Sequence, residues 1–216
     1  MTFDFTHGCS GFVYGLFLAK SIIYMNQADC VLLICSETYS KYISNDDRQN
    51  LSIFGDAGSA IIIEKSQNEE IGSFKFYTDG NGAKDLIVKN KNSYDLPDFS
   101  ENKLYMNGPA LYTFTLDVVP KLVSEVLQSN SLDFDDIDYF VFHQANKYML
   151  QSIAKKISIP EEKFILDFSD CGNTVSSSIP IVLKRSLDKK IILKNKNIMI
   201  IGFGVGLSAA GTVIKF

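Results

Sequence analysis

The sequence predicts an α/β protein with a largely parallel sheet, and three observations support this class. Apolar runs of strand length alternate along the chain with helical stretches, as expected for helices packed on a mostly parallel sheet. Residues 30–37 are almost continuously apolar, which is typical of a parallel strand covered on both faces. Of the 216 residues, 46% are hydrophobic and 21% are charged, a composition that suits a globular core.

The first part of the chain is predicted to contain one helix, two strands and a loop. Apolar residues surround the whole circumference of a helix over residues 11–27, which indicates that this helix is buried on all sides. After the strand at 30–37, residues 40–52 form a polar loop and residues 58–65 form a second apolar strand. We therefore expect a helix packed against a small sheet.

The polar stretch "SQNEEIG" indicates a boundary between two domains, residues 1–66 and residues 67–216. The second domain again alternates strands with helices. Its predicted strands are 73–80, 137–143, 164–168, 196–204 and 207–216, and its predicted helices are 109–130, 145–157 and 175–190. Residues 81–103 are predicted to be a polar loop, and Pro120 predicts a kink in the first of these helices.

Composition excludes several functions. The net charge of −4 and the isoelectric point near 5.2 do not suit a nucleic-acid-binding protein. The four cysteines form no CxxC pair and there are only two histidines, so we expect no metal site. The apolar stretch at 11–25 is broken by Lys20 and is too short to span a membrane. Reduced thiols in apolar strands favour a cytoplasmic protein.

Cys9 is the first candidate catalytic residue, in the stretch "FTHGCSGFVYG". The N-terminus of a helix bears roughly half a positive charge, so we expect the thiol to be more acidic than a free one and to act as a nucleophile. Gly8, Ser10 and Gly11 are small enough to let a substrate approach. The alternative is a cysteine buried in the core beneath the helix.

Three further features are compatible with catalysis, and each has a structural alternative. His143 ends an apolar strand, where active sites of open α/β sheets lie, but it could be a structural hydrogen-bonding residue. Asn173 stands at a turn before a helix and could donate to an oxyanion or simply cap that helix. The glycine-rich residues 202–206 could form an oxyanion hole from backbone amides or a hairpin turn.

Together these motifs resemble one known family. "GCSGFVYGL", "FGDAGSA" at 54–60, "HQAN" at 143–146 and "GNT" at 172–174 occur in a fixed order, and "DDRQNLSIFGD" at 46–56 also matches. The combination is similar to the β-ketoacyl-acyl-carrier-protein synthase III family, the initiating condensing enzymes of fatty acid synthesis. The resemblance extends over essentially the whole chain. It implies a thiolase-like layered fold with mostly parallel sheets.

The resemblance also implies roles for individual residues. Cys9 would accept an acyl group from acyl-coenzyme A, and the backbone amides of Cys9 and Val205 would form the oxyanion hole. His143 and Asn173 would bind the thioester carbonyl of malonyl-acyl-carrier protein, which then loses carbon dioxide and condenses with the acyl group. The enzyme would be a 3-oxoacyl-acyl-carrier-protein synthase that needs no cofactor, since acyl-coenzyme A is its substrate.

Other positions carry over from the family as binding residues. Gly204 and Gly206 would bind substrate, and Arg48 would stack on the adenine of coenzyme A, although a solvated loop arginine is the alternative. An acidic carrier protein would dock on a local basic patch, although lysines of this kind usually form only a solvated face. The lysines of this patch are Lys147, Lys155 and Lys156. The family resemblance also implies a homodimer.

The resemblance has one large departure and leaves other functions open. The family has strands and helices before its cysteine, whereas eight residues precede Cys9 here. We therefore expect the chain to correspond to the C-terminal two-thirds of such an enzyme, with an incomplete N-terminal half and marginal stability. An inactive fragment with a structural or interaction role is one alternative. A relative that only transfers acyl groups, or that builds a modified acyl chain, is another. Thiolase chemistry would need a second reactive cysteine such as Cys171, but the adjacent "GNT" favours the asparagine type.

Overall fold

The architecture is a computed structural model that describes residues 1–88 and 102–215. Within these residues, helices and strands are interspersed along the chain. The helices are α1 (Gly11–Tyr24), α2 (Arg48–Leu51), α3 (Gly108–Ser129), α4 (Lys147–Lys156) and α5 (Ser178–Asp188). The strands are β1 (Cys30–Glu37), β2 (Ala57–Glu64), β3 (Lys75–Thr78), β4 (Leu86–Val88), β5 (Leu104–Met106), β6 (Tyr139–Phe142), β7 (Ile198–Gly204) and β8 (Ser208–Ile214).

A four-stranded sheet with the order β3-β8-β7-β6 forms the core of the second part of the chain. β6 and β7 are parallel, whereas β8 is antiparallel to both of its neighbours. Every residue of β7 and β8 is buried, because residues of α3 and α4 pack on one side and residues of α1 and α5 on the other. The parallel pairing brings the carboxyl ends of β6 and β7 to the same edge of the sheet.

β1 and β2 form a separate antiparallel pair, so the prediction of a parallel β1 covered on both faces is wrong. Leu33 and Ile63 face the core, whereas Leu32, Ile34 and Ile62 are 58%, 62% and 63% exposed. A continuous apolar run does not specify the direction of the neighbouring strand. The expected mostly parallel sheets are likewise corrected, since β6–β7 is the single parallel pair among the strands of the described residues.

α1 lies between the β1–β2 pair and the central sheet, and contacts strands of both. Phe12, Val13 and Leu16 are buried in this position. Phe17 and Tyr24 are exposed, so the prediction of burial on all sides is wrong. The two sheets therefore cover much of the helix but not its whole circumference.

α3 covers the central sheet and has clear sequence signals at its start. The Asn107 side chain accepts a hydrogen bond from the Ala110 backbone amide, which caps the helix, and Pro109 stands in its first turn. The helix continues as one element through Pro120. Its buried face contributes Leu111, Val119, Leu122 and Val126, among others, to the larger of the two apolar clusters.

Three predicted irregular or short elements differ from the structure. Residues 40–52 are not a simple loop, because they include part of a 3-10 turn (Tyr39–Tyr42) and the short helix α2. Residues 164–168 form no strand, and contribute only an isolated bridge from Phe164 to Phe140. The predicted loop at 81–103 begins with the end of a 3-10 turn and β4, and its residues 89–101 lie outside the described part.

Candidate active site

Cys9 lies directly before α1 and is 4% exposed. The end of β7 passes so close to it that side chains would not fit. A Cβ at Gly204 would lie 2.7 Å from Cys9 Sγ, and a Cβ at Gly202 would lie 2.9 Å from the Cys9 carbonyl oxygen. Gly204 also has a φ of +154°, which L-residues rarely adopt. The two glycines therefore let β7 and its following turn contact the cysteine.

The Cys9 thiol is neutral in this environment. Burial raises its pKa to about 12, a hydrogen bond with the Val205 backbone lowers the pKa, and the nearby Glu37 carboxylate raises it further. The expectation that the helix N-terminus makes this thiol more acidic is therefore wrong. The cost of removing the thiolate from water outweighs the hydrogen bonds that lower the pKa.

His143 follows β6 and lies beside the end of β7. Its backbone amide donates to the Ile201 carbonyl over 2.8 Å, and its ring contacts the Phe203 ring edge-on, with centroids 5.5 Å apart. Its Nδ1 lies 2.7 Å from Ser178 Oγ. Burial lowers the pKa of His143 to about 3, and a hydrogen bond with the Val175 backbone acts in the opposite direction. The imidazole is therefore neutral at pH 7.

Asn173 is held by backbone contacts in the turn before α5. Its amide donates to the Ile53 carbonyl over 2.8 Å, and its side-chain Oδ1 accepts from the Val175 amide over 2.9 Å. This second bond fixes the amide group so that its Nδ2 end remains a donor. Because the Val175 backbone also bonds His143, one residue positions both Asn173 and His143.

Val175 is in an unusual conformation for its type. Its φ is +53°, whereas β-branched residues strongly avoid positive φ. Such a conformation costs about 1–3 kcal/mol and persists only where the surroundings determine it. Val175 is fully buried, and its backbone is bonded as described above. The strain therefore coincides with the segment that orients the predicted catalytic side chains.

The glycine turn of residues 202–206 completes the site. The Val205 backbone hydrogen-bonds Cys9, and the Val205 carbonyl accepts from Ser208 Oγ over 2.7 Å. A Cβ at Gly8 would lie 2.2 Å from Val205 Cγ1, so the turn also packs directly against the residue before Cys9. Thus Cys9, His143 and the turn meet around the end of β7, and Asn173 joins them through Val175.

The predicted substrate-binding and docking residues lie on the surface. Arg48 is the first residue of α2 and is exposed. Lys147, Lys155 and Lys156 lie on α4 and are exposed. Lys156 forms a salt bridge with Asp117 at 3.9 Å, which reduces the positive charge that this patch presents.

Sequence reasoning missed the residues that support this site. Ser178 contacts the His143 ring. The one sequence feature that could have indicated this residue is the run of three serines shortly after "GNT". Ser10 Oγ and Ser208 Oγ are 2.7 Å apart although they are 198 positions apart in the chain. No local pattern could indicate a contact over that separation.

Neither a metal site nor a membrane-spanning helix is found in the residues that the structure describes. Across residues 1–88 and 102–215, no group of three or more His, Cys, Asp or Glu side chains is arranged to hold a metal ion. In the same residues, no helix combines the length and the apolar character needed to cross a membrane.

Comparison with known proteins gives consistent matches. Residues 3–80 match the family model described as 3-oxoacyl-[acyl-carrier-protein] synthase III, and residues 127–216 match the model of its C-terminal part. The chain is 34% identical to β-ketoacyl-[acyl-carrier-protein] synthase III of Clostridium tetani, over 99% of this chain and 68% of that protein. It is 33% identical to the protein of the same description from Porphyra purpurea, over the same shares of the two chains.

Solved structures give the same result. A crystal structure of 3-oxoacyl-(acyl-carrier-protein) synthase III superimposes with a TM-score of 0.93 at 39% identity, covering 99% of this chain and 68% of the other. The Thermus thermophilus enzyme superimposes with a TM-score of 0.91 at 32% identity, over 99% and 67%. The class is therefore that of thiolase-fold condensing enzymes, which confirms the expected fold class. The chain belongs to the 3-oxoacyl-[acyl-carrier-protein] synthase III family, as its motifs predicted.

Proposed function

We propose that this chain transfers an acyl group from acyl-coenzyme A to Cys9 and then condenses it with malonyl-acyl-carrier protein. The product would be a 3-oxoacyl thioester on the carrier protein, made at the initiation of fatty acid synthesis or in a related pathway. The observation that supports this most is the contact between the Cys9 thiol and the glycine turn of residues 202–206. A buried thiol against a backbone amide suits acyl transfer through an oxyanion hole.

In the first step, Cys9 Sγ attacks the thioester carbonyl of acyl-coenzyme A. The carbonyl oxygen becomes an anion that accepts hydrogen bonds from the backbone amides of Cys9 and Val205. Collapse breaks the bond to the coenzyme A sulfur, and the thiol proton ends on that sulfur. Because the pKa of Cys9 is raised to about 12, the proton departs only as the new bond forms.

In the second step, His143 and Asn173 donate hydrogen bonds to the thioester oxygen of the malonyl group. Loss of carbon dioxide leaves the electron pair of the broken carbon–carbon bond as an enolate on that oxygen. The enolate carbon attacks the acyl carbonyl on Cys9, a new carbon–carbon bond forms, and the cysteine leaves as a thiolate that regains a proton.

The neutral state of His143 suits this step, because a charged imidazolium could protonate the enolate before condensation. Ser178 Oγ accepts a hydrogen bond from the Gln144 amide at 3.3 Å and lies 2.7 Å from His143 Nδ1. For this role the hydroxyl hydrogen of Ser178 would have to point to Nδ1, which places the single ring hydrogen on Nε2, where the substrate oxygen would accept it in place of a protein acceptor.

Partners follow from the same proposal. Arg48 would contact the adenine of acyl-coenzyme A, Gly204 and Gly206 would border the bound acyl thioester, and the carrier protein would dock on α4. The α4 lysines proposed for docking are Lys147, Lys155 and Lys156. We also propose that the protein acts as a homodimer in the cytoplasm.

Intact-protein mass spectrometry after incubation with a panel of short and medium acyl-coenzyme A thioesters tests the proposal. We expect a mass gain of one acyl group on the wild type and on Cys30→Ala, and no gain on Cys9→Ala. Cys30 is the matched control because its thiol is exposed. An equal gain on Cys9→Ala would place the acyl group elsewhere. No gain on any folded variant would contradict the proposal and favour the alternative of an inactive fragment.

A further inference from the structure

A row of hydrogen bonds connects His7 to the glycine turn that contacts Cys9. His7 Nε2 lies 3.2 Å from Ser10 Oγ, and Ser10 Oγ lies 2.7 Å from Ser208 Oγ. Ser208 Oγ in turn donates to the Val205 carbonyl over 2.7 Å. Both serines are buried and His7 is half-buried. The row therefore extends from a partly accessible ring to the residue whose backbone bonds the thiol.

The direction of every hydrogen bond in this row is determined by its last acceptor. A carbonyl cannot donate, so the single hydroxyl hydrogen of Ser208 points to Val205. Ser208 Oγ must then accept from Ser10, which uses the single hydroxyl hydrogen of Ser10. Ser10 Oγ must therefore accept from His7, and the ring hydrogen of His7 is on Nε2.

We propose that His7 is a positioning residue which, through Ser10 and Ser208, holds the Val205 segment in the orientation that acyl transfer to Cys9 needs. This inference rests on the function proposed above for Cys9. His7 does not touch the reacting atoms. It supplies the first hydrogen of the row. The last bond of the row holds the Val205 carbonyl, and the Val205 amide on the preceding peptide faces the Cys9 thiol.

The surroundings of His7 fit this role. Its ring packs edge-to-face with the ring of Tyr14, at a centroid distance of 4.1 Å and an interplanar angle of 86°, which favours one orientation of the imidazole. Burial lowers the pKa of His7, so the ring is neutral at pH 7 and has one hydrogen. Without that donor, the buried Ser10 hydroxyl keeps only its bond to Ser208 and its oxygen accepts none, which favours rearrangement of the whole row.

Three variants test the row by the rate of Cys9 acylation at saturating acyl-coenzyme A. His7→Phe keeps the aromatic contact with Tyr14 and removes the donor, so we expect a rate about tenfold lower, less than the loss from deleting an oxyanion donor outright. His7→Gln restores an N–H donor and should stay within about threefold of the wild type. Ser10→Ala breaks the same row, so combining it with His7→Phe should slow acylation no further than the slower single variant.

Thr6→Ala is the control, since Thr6 is an exposed neighbour and should leave the rate unchanged. A His7→Phe rate within twofold of the wild type would overturn the inference. So would an equal loss in His7→Gln and His7→Phe, because that pattern reports only a structural need for histidine.

A readout independent of activity separates this inference from the proposed function. In ¹H–¹⁵N spectra of the folded chain, the Val205 amide signal should shift in His7→Phe and return to its wild-type position in His7→Gln. If no acyl-coenzyme A acylates the wild type, the proposed function fails and the Val205 signal decides the inference alone. A shift that His7→Gln reverses supports the row, and an unchanged signal in His7→Phe overturns it.

Discussion

Among single residues, Cys9 combines the position of a nucleophile with a neutral resting state. The thiol lies just before α1, but its burial and the nearby Glu37 keep its proton in place. A neutral buried thiol resists small oxidants and alkylating reagents, because the thiolate is the reactive form. Its reactivity should therefore depend on a substrate that fills the site and stabilises the developing charge.

The raised pKa of Cys9 predicts a specific pH dependence. With a pKa of about 12, the thiolate fraction should rise about tenfold per pH unit from pH 7 to pH 10. We expect the rate of Cys9 alkylation by iodoacetamide to rise in parallel, measured by peptide mass spectrometry with Cys9→Ala as the background. A plateau of the rate below pH 8 would show that the thiol is more acidic than its burial implies.

Asn173 should affect only the second half-reaction. Asn173→Ala removes a donor to the enolate oxygen, so we expect decarboxylative condensation to fall by about 10²–10³-fold. Acylation of Cys9 should remain within a few-fold of the wild type, because in the proposed mechanism backbone amides bind the oxyanion of that step. Release of labelled carbon dioxide from malonyl-acyl-carrier protein and the mass of acylated Cys9 measure the two steps separately. Equal losses in both steps would contradict this assignment.

The sequence indicated which segments would form the candidate site, but not the protonation of its thiol. Cys9, His143 and Asn173 stand in short motifs with recognisable order, and the structure brings their segments together around β7. The pKa of Cys9 could not be predicted in the same way, because burial depends on residues distant in the chain. The contacts made by Ser178, Ser10 and Ser208 were missed for the same reason.

Among the elements, β7 and its glycine turn leave no room for added atoms beside Cys9. Gly204→Ala would place a Cβ 2.7 Å from Cys9 Sγ at a φ of +154°. We expect this variant to acylate Cys9 at least about 100-fold more slowly, because small displacements of reacting groups cost rate steeply. The intact-mass assay measures this.

Gly80→Ala is the matched control for that substitution. A Cβ at Gly80 has nothing within 4 Å, so we expect its acylation rate to equal that of the wild type. If Gly204→Ala acylates normally, the thiol does not react in the position described.

Local sequence patterns predicted where β1 begins and ends, but not which strand it pairs with or in which direction. The predicted strand at 30–37 coincides with β1, because an apolar run bounded by polar residues marks a strand by itself. Its antiparallel partner and its exposed outer face depend on what lies beside it, which no local pattern contains. The predicted strand at 164–168 is not formed. This short apolar run has no neighbouring strand to pair with along its length, and makes only a single bridge, from Phe164 to Phe140.

At the scale of the whole molecule, the outer face of the β1–β2 pair exposes adjacent apolar side chains. Leu32 and Ile62 are directly paired across the two strands, and Ile34 lies beside them. All three are more than half exposed. Contiguous exposed apolar side chains on a strand pair favour association with other surfaces.

We therefore expect the purified chain to self-associate with increasing concentration, as measured by light scattering. Ile34→Lys should reduce this association, because it replaces an exposed apolar side chain with a charge in the middle of the face. Ser36→Lys is the matched control, since it adds the same charge at an exposed position of the same strand and removes no apolar surface. Equal effects of the two variants would attribute the change to net charge instead.

The bond between Ser10 and Ser208 joins positions 198 residues apart. Contacts of such separation form late during folding, since the intervening chain must first be ordered. In a refolding experiment, Cys9 should thus become competent for acylation after helical circular dichroism has recovered. Short exposures to acyl-coenzyme A at increasing refolding times would give the fraction of molecules whose Cys9 can be acylated. That time course would measure how fast the segments of Ser10 and Ser208 come into contact.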